Sequence, residues 1–197
     1  MSSHPAFLTT KLFVPRAQPK WMTRPRLLQR LDETRPLTLV TAPAGFGKTT
    51  LLAEWIANRS IDAAWISLDE GDNDPARFWT YFFTALQTAR LELGELGLAQ
   101  LPLLEPSAVT DALASLLNAL ATAPQLLVVV LDDYHVINAK AIHADVAYLI
   151  DHLPPQLRLI LSTRTVPPLP LARLRARGQL LEMRAADLRF TPDEITV

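Results

Sequence analysis

Two kinds of apolar pattern alternate along this chain: short β-branched runs, and stretches in which apolar residues recur every three or four positions. The first kind is buried strand and the second is amphipathic helix. Leu37–Thr41 reads as a strand, followed by a Gly-rich turn and a helix from about Thr49 to Asn58. Ala63–Leu68 is the next strand and ends in the polar turn Asp69–Asn73. Asp74-Pro75 supplies a cap and an N1 proline for a helix with Phe78, Phe82 and Leu86 on one face. Val109, Leu113, Leu116, Leu117 and Leu120 share a further helical face, and Leu126–Leu131 is an apolar strand ending in Asp132-Asp133. Ile142, Val146, Leu149, Ile150 and Leu153 are in helical register up to Pro154-Pro155. Leu157–Ser162 is a strand ending at Thr163-Arg164; a short helix closed by Gly178 and a last strand, Leu180–Arg184, follow. Strands alternating with helices define an α/β protein with a largely parallel sheet.

Three stretches fit that scheme less simply. Residues 1–36 carry the breakers Pro15, Pro19, Pro25 and Pro36, with one short helix expected over Arg26–Leu31. Leu91 to Leu104 is leucine-rich but interrupted by Gly94, Gly97 and Pro102, and reads as a connector packed on the body. Thr191-Pro192-Asp193-Glu194 is a helix start followed only by Ile195, Thr196 and Val197, too few to nucleate a helix. The sequence thus reads as cut at the start of an element. The expected organisation is an N-terminal segment over 1–36, a body over 37–190, and the beginning of another helical element over 191–197.

Composition narrows the classes. The chain has 197 residues, 49% of them hydrophobic and 20% charged, enough for one domain with a real core. A net charge of −1 gives no general attraction to nucleic acid or anionic lipid. The absence of cysteine excludes disulfides and thiolate metal sites. No apolar run is long enough for a bilayer and no signal peptide is evident, so the chain reads as cytoplasmic. His4, His135, His143 and His152 lack convergent ligands at metal spacing, and Trp21, Trp55, Trp65 and Trp79 read as core or half-core residues.

The chemistry concentrates at three strand ends. Ala42-Pro43-Ala44-Gly45-Phe46-Gly47-Lys48-Thr49 fits the Walker A pattern, with Ala42 in place of its first glycine. Glycines let the loop curl so that several N–H groups face one phosphate, and the following helix aims its positive end there. Lys48 would bridge the β- and γ-phosphates and Thr49 would offer its hydroxyl to Mg²⁺. Two adjacent carboxylates leaving an apolar strand are costly unless a cation or hydrogen bonds compensate them. Asp132 is therefore read as ordering the Mg²⁺ shell, and Asp133 as orienting the attacking water or capping the next turn. Arg164 is a surface arginine or, if its strand lies between the other two, a sensor of the γ-phosphate.

The motifs around Lys11–Pro15, Arg24–Leu28, Thr41–Thr50, Leu68–Asp74, Leu131–His135 and Leu169–Arg175 occur in an order that resembles the N-terminal nucleotide-binding domain of MalT-like, large LuxR-type regulators, within the STAND class of signalling ATPases. The resemblance implies a P-loop NTPase three-layer sandwich with sheet order 5-1-4-3-2, which places Arg164 between Lys48 and Asp132. It implies ATP/ADP and Mg²⁺ as cofactors, contacts from Ala42, Pro43, Ala44, Gly45, Phe46, Gly47 and Thr50, and an adenine cover around Arg24. It also implies a switch: ADP-bound at rest, ATP-bound and self-associating when induced, with slow hydrolysis. A nucleotide-binding interaction module without turnover and a P-loop phosphotransferase are the alternatives. The family's DNA reader lies in a region beyond the resembling one, so this chain is expected to bind neither DNA nor membrane directly. A gel-shift titration at physiological salt should accordingly show no tight, sequence-selective DNA binding.

Overall fold

The computed structural model describes residues 7–16, 22–99 and 108–195. The expectations placed on His4, Pro19, Trp21, Pro102, Leu104, Thr196 and Val197 fall outside those residues. Five strands, β1 (Leu37–Thr41), β2 (Ala63–Ser67), β3 (Leu127–Asp132), β4 (Leu157–Thr163) and β5 (Leu180–Arg184), form one sheet in the order β2-β3-β4-β1-β5. Every pairing between neighbours is parallel, with Thr41 opposite Thr163 and Ser67 opposite Asp132. The helices are α1 (Pro25–Leu31), α2 (Lys48–Arg59), α3 (Pro75–Ala89), α4 (Leu91–Leu98), α5 (Ala108–Ala121), α6 (Lys140–Asp151), α7 (Leu171–Ala176) and α8 (Pro192–Ile195).

The alternation of side chains along each strand builds three layers. Leu39, Val129 and Leu159 face a core completed by Phe82, Leu113, Leu116, Val146 and Leu149. Val40, Val128, Val130 and Ile160 face the other way, against Leu27, Leu51, Leu52 and Trp55. Covered on both faces, β3 and β4 are buried along their whole length, which is why their sequences are near-continuous apolar runs. Trp55, Trp65 and Trp79 lie in the core, as expected. No helix of the described residues is long and apolar enough to cross a membrane.

Two elements depart from the sequence expectations. The glycines in Leu91–Leu98 do not break the chain into a connector: these residues form α4, a helix laid against α3. A Cβ at Gly97 would overlap the Phe83 ring, and one at Gly94 would overlap Gln87 and the Phe83 carbonyl. Each glycine costs about 1 kcal/mol of helix propensity relative to alanine, a loss that the close approach of the two helices offsets. Thr191–Glu194 also forms a turn despite its shortness. The Thr191 amide donates to Glu194 Oε2 at 2.9 Å, and that carboxylate accepts from Arg26 Nε on α1 at 3.0 Å. Tertiary pairing supplies what length does not.

The N-terminal motif is pinned to the turn after β2. Lys11, buried on a 3-10 turn over Thr9–Leu12, pairs with Asp72 and with Asp69 at 3.0 Å, and its ammonium lies 4.4 Å from the centre of the Tyr81 ring. Asp72 is fully buried and also accepts from Arg77 Nε at 3.0 Å and from the Asp69 amide at 2.9 Å. Removing one partner of a buried pair costs about 3–5 kcal/mol; because Asp72 keeps Arg77, the lower end applies. Lys11→Ala should lower the thermal midpoint by roughly 6–12 °C at about 2–4 °C per kcal/mol. Arg59→Ala, which opens the exposed pair with Asp32, should leave it unchanged in the same melts.

Candidate functional site

All three chemical motifs meet at the carboxyl edge of the sheet. β1 ends at Thr41 and the loop that follows reaches α2 through Gly45 (φ 81°) and Gly47 (φ 71°). Both glycines hold left-handed backbone that other residues adopt at a cost. A Cβ on Gly47 would also stand 3.1 Å from Arg24 Nη2. Ala42 does not share this constraint. It is buried with an ordinary backbone, donates its amide to Thr163 O at 3.2 Å and packs in the α1/α2 layer, which accounts for alanine at a position often held by glycine.

Lys48 opens α2 and folds back over the loop, donating from Nζ to Ala42 O at 2.9 Å and Pro43 O at 3.1 Å. Burial lowers its pKa, against the pull of the Asp133 and Asp132 charges. Thr49 Oγ1 donates to Asp132 Oδ2 at 2.8 Å. Asp132, buried at the end of β3, has its pKa raised by burial, partly offset by the hydrogen bonds its carboxylate accepts, Thr49's among them. Asp133 follows in a left-handed conformation (φ 58°, ψ 36°), a cost of about 1–3 kcal/mol outside glycine. Its carboxylate is half-exposed and lies 3.7 Å from His135 Nδ1. Asp133 adjoins Asp132, whose carboxylate holds Thr49, the residue next to Lys48.

Arg164 directly follows β4, between β1 and β3, and is exposed. Its charge reaches both Lys48 and His135 and disfavours their protonated forms. The sheet order thus brings Lys48, Asp132, Asp133 and Arg164 together. Pro43 and Ala44 form the exposed rim of the loop.

Arg24 stands on the other side of the loop. It is buried, donates from Nη1 to Leu188 O at 2.9 Å and from Nη2 to Gly47 O at 3.1 Å, and lies 5.1 Å from the Phe190 ring centre. Burial lowers its pKa. Beside it opens a cleft of about 460 Å³ lined by Met22, Phe46, Thr50, Leu188 and Phe190. Its wall therefore combines the segment before α1 with the segment after β5. Arg26 bonds Asp187 O at 2.7 Å and Arg30 bonds Asp187 Oδ1 at 2.8 Å, holding the two segments together. The sequence reading missed Met22, Leu188 and Phe190, which carry no motif; only the structure shows Met22 and Phe190 as large apolar residues left at the surface.

Among the described residues no group of three or more acidic or histidine side chains could hold a metal by itself. His143 instead meets the Tyr134 hydroxyl at 2.9 Å and His152 the Tyr148 carbonyl at 2.8 Å. The Thr49 hydroxyl and the Asp132 carboxylate are hard oxygen donors, and they suit Mg²⁺, which takes one or two protein oxygens and completes its shell with water and phosphate.

The fold and the site define a P-loop ATPase domain: residues 25–162 match the AAA ATPase domain family, and the chain belongs to it. Over 95% of its length it is similar to the HTH-type transcriptional regulator MalT of Serratia proteamaculans, 42% identical, and to that of Yersinia enterocolitica serotype O:8, 39% identical. It spans 21% of the length of each of these curated relatives. A solved STAND protein with a tetratricopeptide repeat sensor, from Pyrococcus horikoshii, shares the fold at 15% identity and a TM-score of 0.59, covering 91% of this chain and 25% of that one.

The raised pKa of Asp132 has a definite sign in stability. Folding favours its protonated form, so its contribution is favourable below the ordinary value of 3.8 and is lost as pH rises through the folded value. At neutral pH the buried carboxylate is a liability. Asp132→Asn should raise the melting temperature of the nucleotide-free chain at about pH 7, with the gain shrinking toward about pH 4. Melts across that range would show it, and a lower midpoint at neutral pH would contradict the assignment of burial as the dominant effect.

Proposed function

We infer that this chain is the Mg-ATP-binding, slowly hydrolysing switch domain of a MalT-like transcriptional regulator. The observation that carries the reading is the Thr49–Asp132 hydrogen bond of 2.8 Å beside Lys48, which joins the loop after β1 to the acidic end of β3. That contact is the place of a metal shell, and the lysine beside it is the place of a phosphate charge.

The residues divide the work. The loop amides from Ala44 to Thr49, at the start of α2, receive the phosphates. Lys48 gives up Ala42 O and Pro43 O for phosphate oxygens, a stronger charge-assisted contact. Thr49 and Asp132 would hold Mg²⁺, which would supply charge neutralisation for the phosphates. Asp133, half-exposed and next to Asp132, orients the attacking water and accepts its proton. Arg164 enters the same space from β4 and meets the γ-phosphate. The base lies in the cleft of Met22, Phe46, Leu188 and Phe190, with Arg24 and Thr50 at its wall. Self-association in the ATP state, within a longer regulator whose other regions read DNA, completes the proposal.

Affinity and turnover test it separately. A hydrogen bond to a charged group is worth about 1.5–3 kcal/mol, so Lys48→Ala should weaken ATP binding about 10- to 150-fold without unfolding the chain. Asp132→Asn should abolish the Mg²⁺ dependence of binding, and Asp133→Asn should leave affinity intact while suppressing phosphate release. Titration calorimetry with and without Mg²⁺, beside a phosphate-release assay, reads all three. Wild-type ATP affinity in Lys48→Ala would refute the nucleotide site. Binding without any phosphate release in the unmutated chain would leave a module without turnover.

A further inference from the structure

Asp133 begins a loop that runs to Ala139 before α6. Only Tyr134–Val136 has regular structure, a single 3-10 turn, so the loop depends on tethers. One is Tyr134 itself, buried and bonded through its hydroxyl to His143 Nδ1 at 2.9 Å. The other comes from the turn after β2. Asn73 Nδ2 donates to Val136 O at 2.8 Å and to Glu70 O at 3.0 Å, while Asn73 Oδ1 accepts from the Asn138 amide at 2.6 Å and the Ala139 amide at 3.0 Å. A primary amide has two donor hydrogens and two acceptor sites, and all four are used here. Three of the four bonds cross to the Asp133 loop. The turn that carries Asn73 is itself rigid, because its neighbour Asp72 is fully buried between Lys11 and Arg77.

The chemistry of the contact is specific to asparagine. An aspartate would keep the two acceptances but lose both donations and set a carboxylate against the Val136 carbonyl. A glutamine would overreach by one methylene. An alanine would remove all three cross-loop bonds and leave the loop to its Tyr134 tether.

We propose that Asn73 is a positioning residue for Asp133, clamping the loop after β3 so that the Asp133 carboxylate keeps its place next to Asp132. The proposal rests on the reading of Asp133 as the group that orients the attacking water. Misplacing a reacting group by about 1 Å can cost on the order of 100-fold in rate, so a clamp of this kind acts on turnover and not on affinity.

The test uses the full chain with Asn73→Ala, Asn73→Asp, Asp133→Asn and the double variant Asn73→Ala/Asp133→Asn. Single-turnover phosphate release, Mg-ATP affinity, thermal melts and amide hydrogen exchange are measured on each. Asn73→Ala should slow release about tenfold or more, leave ATP affinity within about twofold, and speed exchange at Asn138 and Ala139 without nucleotide. Should it fail to fold in the melts, Asn73→Asp carries the same expectation of slowed release at unchanged affinity. Added to Asp133→Asn, the Asn73 change should cost nothing further, since a clamp has no effect once the group it places is gone. Wild-type release in the Asn73 variants, or losses that multiply in the double variant, would overturn the proposal. Unimpaired release in Asp133→Asn alone would sink the reading beneath it, and that outcome is visible without any Asn73 variant.

Discussion

Helices cover both faces of the parallel sheet, so the central strands meet water only at their ends. β1, β3 and β4 bury almost every side chain they carry. A polar group can then be presented only where a strand stops, and in a parallel sheet all the strands stop on the same side. The glycine loop after β1, the acidic pair and Arg164 are those three stops. Their convergence follows from the direction and order of the strands, with β4 lying between β1 and β3.

The parts of this arrangement that depend on neighbours in sequence were legible in advance. β1 and β5 have the bounds that their apolar runs suggest, and Asp74 caps α3 by accepting from the Arg77 amide at 2.8 Å. Contacts between distant residues were not legible. Gly94 and Gly97 look like breakers because a single sequence does not show Phe83 and Gln87 arriving against them. Leu188 and Phe190 join the cleft beside Arg24 across more than a hundred and fifty intervening residues. The motifs Lys11–Pro15 and Leu68–Asp74 stood out as a resemblance, yet their physical reason, one buried ion cluster, appears only when the two are brought together.

Buried charge recurs through the molecule and is handled in two ways. Lys11, Asp72 and Arg77 compensate one another and leave a rigid turn. Lys48 and Asp132 are less well served. Burial pushes each toward its neutral form while loop carbonyls and one hydroxyl stand in as partners. An uncompensated pair of this kind at a strand end is the electrostatic character of a site that a charged ligand would complete.

The strand order has a consequence for how the molecule comes into being. Within the sheet β1 is the first strand along the chain, but both of its partners, β4 and β5, are the last two of the five. Until β4 is available β1 has an open edge on each side, and until residues beyond Leu180 follow it keeps one. Pairings of such long sequence separation are slow to close and expose apolar edges while they wait. The loop after β1 thus precedes four of the five strands along the chain and is among the last parts of the sheet to be shaped.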